Sequence, residues 1–159
     1  MKHFLSLIFY ILSSAGYSQV NSAMSPEADL FYNHAMQTIN SKIKSTIEKN
    51  ANNLKNRIVD TDSLSGFLRS DESLKNITSK GIDAIAILIM VQISKNADAD
   101  LKNMVVNMQK DNEKSLSKGN SHSAIVEVIL NNKSQIAANV SVLMQKLGSS
   151  RDLAVDNLK

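Results

Sequence analysis

Residues Ile82 to Ile93 read IDAIAILIMVQI, a run in which only Asp83 and Gln92 are polar. So apolar a stretch is either a fully buried strand or a helix that is hydrophobic all round. Ala84 and Ala86 favour helix, no proline flanks the run, and the segments on either side carry helical spacing. The run is too short to span a bilayer, which takes about 20 apolar residues. It is therefore expected to form the central helix of a bundle. The competing reading is an element that enters a membrane or docks on a partner.

Composition supports helices. Pro26 is the only proline and there are 5 glycines in 159 residues, whereas a sheet-rich fold needs turn residues about every 8–12 positions. Trp is absent and aromatics make up 4%, so Ile, Leu, Val, Met and Ala must fill the interior. The expectation is an all-α, single-domain helical bundle over 25–159. It should have about four to five helices, with one long amphipathic N-terminal helix and one very apolar central helix.

Upstream of the apolar run, Ser25 is a candidate N-cap, Pro26 fits the first helical position, and Glu27 and Asp29 suit the positive helix end. Tyr32, Met36, Ile39, Ile43, Ile47, Ala51, Leu54 and Ile58 then follow three or four apart. Pairs such as Tyr32/Ile43 and Ile47/Ile58 stand eleven apart, which nearly closes three turns and keeps the stripe on one face. One face of a bundle is the simplest use of it; an oligomeric coiled coil is the alternative. Asp60 to Gly66 (DTDSLSG) reads as a turn, with Phe67 and Leu68 tucked against the core. A second helix is expected from about Asp71, with Leu74 and Ile77 inward.

Downstream, Asn96 to Asp100 (NADAD) offers a new helix start capped by Asp98 or Asp100, with Leu101, Met104, Val105, Met108 and Leu116 as its stripe. Ile85, Ile89, Ile93, Ala97 and Leu101 also keep a four-residue step, so one uninterrupted helix from Gly81 to Lys118 is the alternative. Gly119, after Lys114 and Lys118, reads as a helix stop. Ser121 or Ser123 should cap the last long helix, striped by Ile125, Ile129, Ile136, Val140, Leu143 and Leu147 and ended by Gly148. Within it, Ile125 to Leu130 (IVEVIL) is β-branched enough to allow a strand. Ser149-Ser150-Arg151-Asp152 resembles a capping box ahead of a short turn or two at Leu153–Leu158.

The N-terminus predicts export. Met1-Lys2-His3 is basic, Phe4 to Leu12 (FLSLIFYIL) is apolar apart from Ser6, and small residues follow. That three-part pattern is a secretory signal peptide, here assigned to 1–18. Cleavage is expected after Ala15, with Ser13 at −3, or after Ser18, with Gly16 at −3. Ala23 is disfavoured because Asn21 would sit at −3. The expected location is secreted or periplasmic.

The remaining roughly 136 to 144 residues suit one domain. Net charge falls from +3 to +2 when Lys2 leaves, without clustered Lys/Arg, so nucleic acid is not an expected partner. Cysteine is absent, which removes disulfides, thiol catalysis and thiolate metal sites. Beyond the signal only His34 and His122 remain as imidazoles, in no HxxxH or HExxH spacing. No GxSxG elbow and no phosphate-binding glycine loop occurs. Asp60-Thr61-Asp62 fails as an EF-hand, since its fifth, sixth and twelfth places hold Leu64, Ser65 and Asp71. The sequons at Asn76, Asn132 and Asn139 are of a kind that a chain rich in Asn, Ser and Thr produces by chance. Catalytic, cofactor-binding and metal residues are thus none, and no enzymatic activity is expected. The reading is a secreted helical binding or interaction protein that acts through a surface on another protein, and it leaves a homo-oligomer open. The alternative is a lipid- or membrane-interacting bundle of apolipoprotein-like type, supported by amphipathic segments around one very apolar helix with no disulfide to hold them closed.

Overall fold

The computed structural model describes residues 24–55, 57, 60–111 and 119–159; of 108–111 and 119–123 only the helical backbone is described. The signal-like segment and its cleavage positions lie outside these residues, as do Ile58, Lys114, Leu116, Lys118 and the side chains of Met108, Ser121, His122 and Ser123. The order is α1 (Pro26–Thr38), α2 (Ser41–Asn53), α3 (Thr61–Ser70), a 3-10 turn at Glu72–Leu74, α4 (Ser79–Asp111), α5 (Gly119–Leu147), a second 3-10 turn at Gly148–Ser150, and α6 (Arg151–Asp156). No strand occurs among the described residues, so Ile125 to Leu130 is helix. The fold is all-α.

The Ile82–Ile93 run is the axis of the bundle. Every residue from Gly81 to Val91 is buried, because α1, α2, α3, α5 and α6 all pack on α4 and no side is left to water. The Thr78 hydroxyl accepts from the Gly81 N–H at 3.1 Å and starts the helix. A Cβ at Gly81 would come within 2.6 Å of Ile77 Cγ2 and 3.3 Å of Leu158 Cδ2, so a side chain there would have to displace Ile77 and would press on Leu158 at the C-terminus. The expected restart at Asn96–Asp100 does not occur. α4 runs on to Asp111, and the short polar side chains that suggested caps bind other helices: Asn96 meets Asn52, Asp98 meets Lys133, and Asp100 meets Lys55.

The single long N-terminal helix is also corrected. Ser25 caps α1, accepting from Ala28 N–H, with Pro26 at its first position. Ile39 and Asn40 then turn extended (ψ 154° and 160°), and Asn40 Oδ1 accepts from the Ile43 N–H to start α2. The chain reverses at this corner. Asp29 lies beside Lys95 and Tyr32 beside Gln92, so α1 runs antiparallel to α4; Asn52 lies beside Asn96 and Lys55 beside Asp100, so α2 runs parallel to it. The apolar spacing survives because both helices turn the same stripe to α4: Tyr32, Ile39, Ile43, Ile47 and Ala51 are all buried.

Asp60 to Gly66 is helix, not a turn. Asp60 caps α3 by accepting from the Ser63 N–H at 2.8 Å, and Leu64 and Leu68 are buried while Phe67 is exposed. Asp71 starts a 3-10 turn that buries Leu74; the α-helix proper begins only at Ser79.

α5 returns antiparallel along α4, with Lys133 beside Asp98 and Lys146 beside Asp83. Gly119 belongs to its first turn, so it is not a stop and the helix is under way before Ser121 and Ser123. Gly148 does end it, with φ +50°, a value glycine adopts without strain. The capping box is not formed. The Ser150 side chain makes no cap bond and accepts from Lys80 Nζ at 2.8 Å. No helix among the described residues is long and apolar enough to cross a membrane.

Candidate functional site

Two regions stand out against the closed core. The first is a surface. The buried cluster takes nothing from α4 beyond Ile93 and nothing from α5 before Ile136. Both helices continue past that level. At about 1.5 Å per residue α4 is near 50 Å long, whereas α1 and α2 reach about 20 Å each. Beyond Asp100, which pairs with Lys55, no third helix among the described residues lies over the far halves of α4 and α5. Val105, Val106, Ile125 and Val128 are left 38 to 59% exposed, beside half-buried Leu101, Met104, Val126 and Ile129.

The second is a cleft of about 340 Å³ where α1, α4 and α5 meet. Val91, Ser94, Lys95 and Asp98 follow each other three, one and three residues apart, so they share one face of α4. Asp29 faces them from α1 and Lys133 from α5, and Met24, just before α1, completes the lining. Lys95 pairs with Asp29 at 3.0 Å and its ammonium lies 5.1 Å from the Tyr32 ring centroid. Tyr32 Oη donates to Gln92 Oε1, Gln92 Nε2 donates to Asn96 Oδ1 at 2.9 Å, and Asn96 Nδ2 donates to Asn52 Oδ1 at 3.2 Å. This relay ties α1 to α4 and α4 to α2 on the neighbouring face of α4. Burial, with a smaller contribution from the Glu48 carboxylate, pushes the Tyr32 phenol above its ordinary value. Lys133 is paired with Asp98 and its side chain is only 10% exposed, unusual for an ammonium.

Of the residues weighed from sequence, His34 is exposed on α1 at the edge of a different hollow, where Arg151 bonds Glu27 and the Gly148 carbonyl. Asp60 serves as a helix cap, and Asn76 is exposed while Asn132 and Asn139 are half-buried on α5. No cluster of three or more His, Asp and Glu that could hold a metal occurs among the described residues. The cleft was missed in the sequence, although a signal was present: Ile125 and Ile129 are four apart, and the next step of four falls on Lys133 before the stripe resumes at Ile136. A lysine inside an apolar stripe marks a place where the helix faces something other than core. No protein family, curated protein or solved structure matches the chain.

Proposed function

We propose that the chain is an exported helical binding protein, acting without catalysis through the far half of the α4–α5 pair on a protein partner. The observation that carries this reading is the apolar face at Val105, Val106, Ile125 and Val128, which continues two helices beyond the level where the core ends. Apolar area of this kind is stabilised when a partner helix lays its own stripe into the groove between two helices. Lys102, Asn103, Asn107 and Glu127 are exposed around it and supply the polar rim such an interface needs. The rest of the described surface argues for the same place, since the other exposed apolar side chains, Leu30, Phe67, Val142 and Leu153, come from four different helices.

The chain has no cysteine, so one introduced thiol is the only one. Val128→Cys and, as control, Ser45→Cys carry a photo-cross-linker into the protein's own extracellular or periplasmic milieu. The expected result is a discrete adduct from position 128 and none from 45. Identical patterns from both positions would remove the proposal. Flotation of the purified protein with neutral liposomes at high salt is the companion measurement. Apolar burial is not screened by salt, so salt-resistant binding abolished by Val128→Asp would assign the same face to a membrane instead.

A further inference from the structure

We infer that the cleft between α1, α4 and α5 is a binding site for a small zwitterion, a free amino acid with an aliphatic side chain. The inference is independent of the exposed α4–α5 face. Two groups lining the cleft have hydrogen-bonding capacity that no described residue takes up. The Lys133 side chain is nine-tenths buried and its ammonium has three N–H donors, yet among the described residues its one partner is Asp98. The Ser94 residue is 3% exposed, lines the same cleft, and makes no side-chain hydrogen bond with any described residue. Asp83 Oδ1 is the one fully enclosed side-chain atom without a partner among the described residues, so the unbonded Ser94 hydroxyl opens on the cleft, and with Lys133 it offers its donor to whatever fills that space. A carboxylate is the acceptor that fits, because it takes several charge-assisted hydrogen bonds at once.

The charge of the cleft then selects the ligand class. Lys95 and Lys133 are matched by Asp29 and Asp98, so a bare anion would enter a site whose positive charge is already neutralised. A zwitterion suits both signs. Its carboxylate is received at the deep end by Lys133 and Ser94, and its ammonium is received nearer the mouth by Asp98 and Asp29, whose side chains are partly exposed. Met24 and Val91 supply an apolar wall for an aliphatic side chain. The volume, about 340 Å³, holds a molecule of that size and excludes a folded partner.

The test uses backbone amide NMR spectra of the purified protein titrated with L-leucine. Two truncated analogues accompany it: 4-methylpentanoate, which lacks the ammonium, and 3-methylbutylamine, which lacks the carboxylate. Leucine should produce saturable shifts at Ser94, Lys95 and Lys133 and none at His34. Each analogue should bind about tenfold or more weakly, the loss expected for one charge-assisted hydrogen-bonded group. Lys133→Met should abolish the shifts. Ser94→Ala, which leaves the Lys133–Asp98 pair and the fold in place, should weaken binding severalfold. No saturable shift up to about 10 mM leucine would overturn the inference, since that is weaker than the affinity two charged anchors provide. Binding of 4-methylpentanoate as tight as leucine would overturn it too, because the cleft would then read only the carboxylate. Full affinity in the folded Ser94→Ala and Lys133→Met proteins would have the same consequence.

Discussion

Asn40 donates both its backbone N–H and its side-chain Nδ2 to one acceptor, the Leu158 carbonyl, at 3.2 and 3.1 Å, across 118 residues of sequence. The same side chain caps α2 through Oδ1. One asparagine thus starts a helix, turns the chain at the α1–α2 corner and clasps the C-terminus, while the fully buried Leu158 side chain closes against Gly81. Neither Asp nor Ser supplies both side-chain roles, because Asp has no donor and Ser has one oxygen on a shorter side chain, whereas the amide places an acceptor and a donor on separate atoms.

Two substitutions separate those functions. Asn40→Ser keeps a capping oxygen but loses the side-chain bond to the Leu158 carbonyl; it should cost about 0.5–1.5 kcal/mol, the net worth of one hydrogen bond. Asn40→Ala loses the cap as well, adding about 1 kcal/mol. Urea denaturation measures both. Equal losses would mean that the cap contributes nothing and the clasp everything.

Asp83 and Lys146 make an asymmetric pair. Their ion pair is 2.9 Å long, but Asp83 is 4% exposed at its side chain and Lys146 57%. Asp83 Oδ1 has no hydrogen-bond partner among the described residues. Lys146→Met therefore strands a buried carboxylate, and should cost about 1–3 kcal/mol. Asp83→Leu frees a lysine that turns into water and removes an unsatisfied buried group of similar shape. That change should be near neutral or stabilising. Thermal and urea unfolding of both variants give the comparison, and a larger loss from Asp83→Leu would contradict this account.

Acid should act through α3. Hydrogen bonds from the Ser63 side chain and backbone hold the Asp60 carboxyl below its usual value, and those from Ser73 do the same for Asp71. A carboxylate whose pKa is lowered on folding stabilises the fold at pH above its unfolded value, about 4. That contribution is lost as pH falls through the lower folded value. The unfolding midpoint should thus decline below about pH 4. Asp60→Asn and Asp71→Asn retain a capping oxygen without the titrating charge, so they should flatten the decline. An unchanged acid limb in the double variant would place the acid sensitivity elsewhere.

Much of the bundle was legible because its strongest signals are local. Ala84, Ala86 and the helical spacing on either side favoured an interior helix for Ile82–Ile93 over a strand, and Ser25-Pro26 and Gly148 mark true helix ends. The errors share one cause. Asn40, Asp60 and Asp98 are short polar residues that serve as cap, cap and ion-pair partner, and sequence alone does not distinguish these uses. The four-residue step from Ile39 to Ile43 fits one continuous helix as well as two helices facing the same core. The cleft was illegible for a different reason. Asp29, Ser94 and Lys133 converge only after α1 has reversed at Asn40 and α5 has returned along α4, so no spacing in the sequence relates them.

The division between closed core and open α4–α5 face yields the sharpest contrast. Ile89 is completely enclosed, so Ile89→Ala leaves a cavity and should cost about 2–5 kcal/mol. Val128 is 59% exposed on α5, so Val128→Asp changes little that the folded chain buries and should stay within about 0.5 kcal/mol of the parent. Hydrogen exchange should follow the same line: amides of 82–93 exchange only through global unfolding, whereas those of 101–107 and 124–130, with helix on one side and water on the other, open locally. Each observable carries its own alternative. If Ile89→Ala cost nothing, the central run would not be core. If Val128→Asp cost as much as Ile89→Ala in a dilute monomer, the face would be covered within the chain and unavailable to a partner. If that cost appeared only at high protein concentration, in step with a change in sedimentation mass, the covering element would be a second copy. Concentration-dependent unfolding with analytical ultracentrifugation distinguishes these cases, and the proposed partner-binding role requires a dilute protein that tolerates Val128→Asp and a Val128→Cys protein that forms its cross-linked adduct.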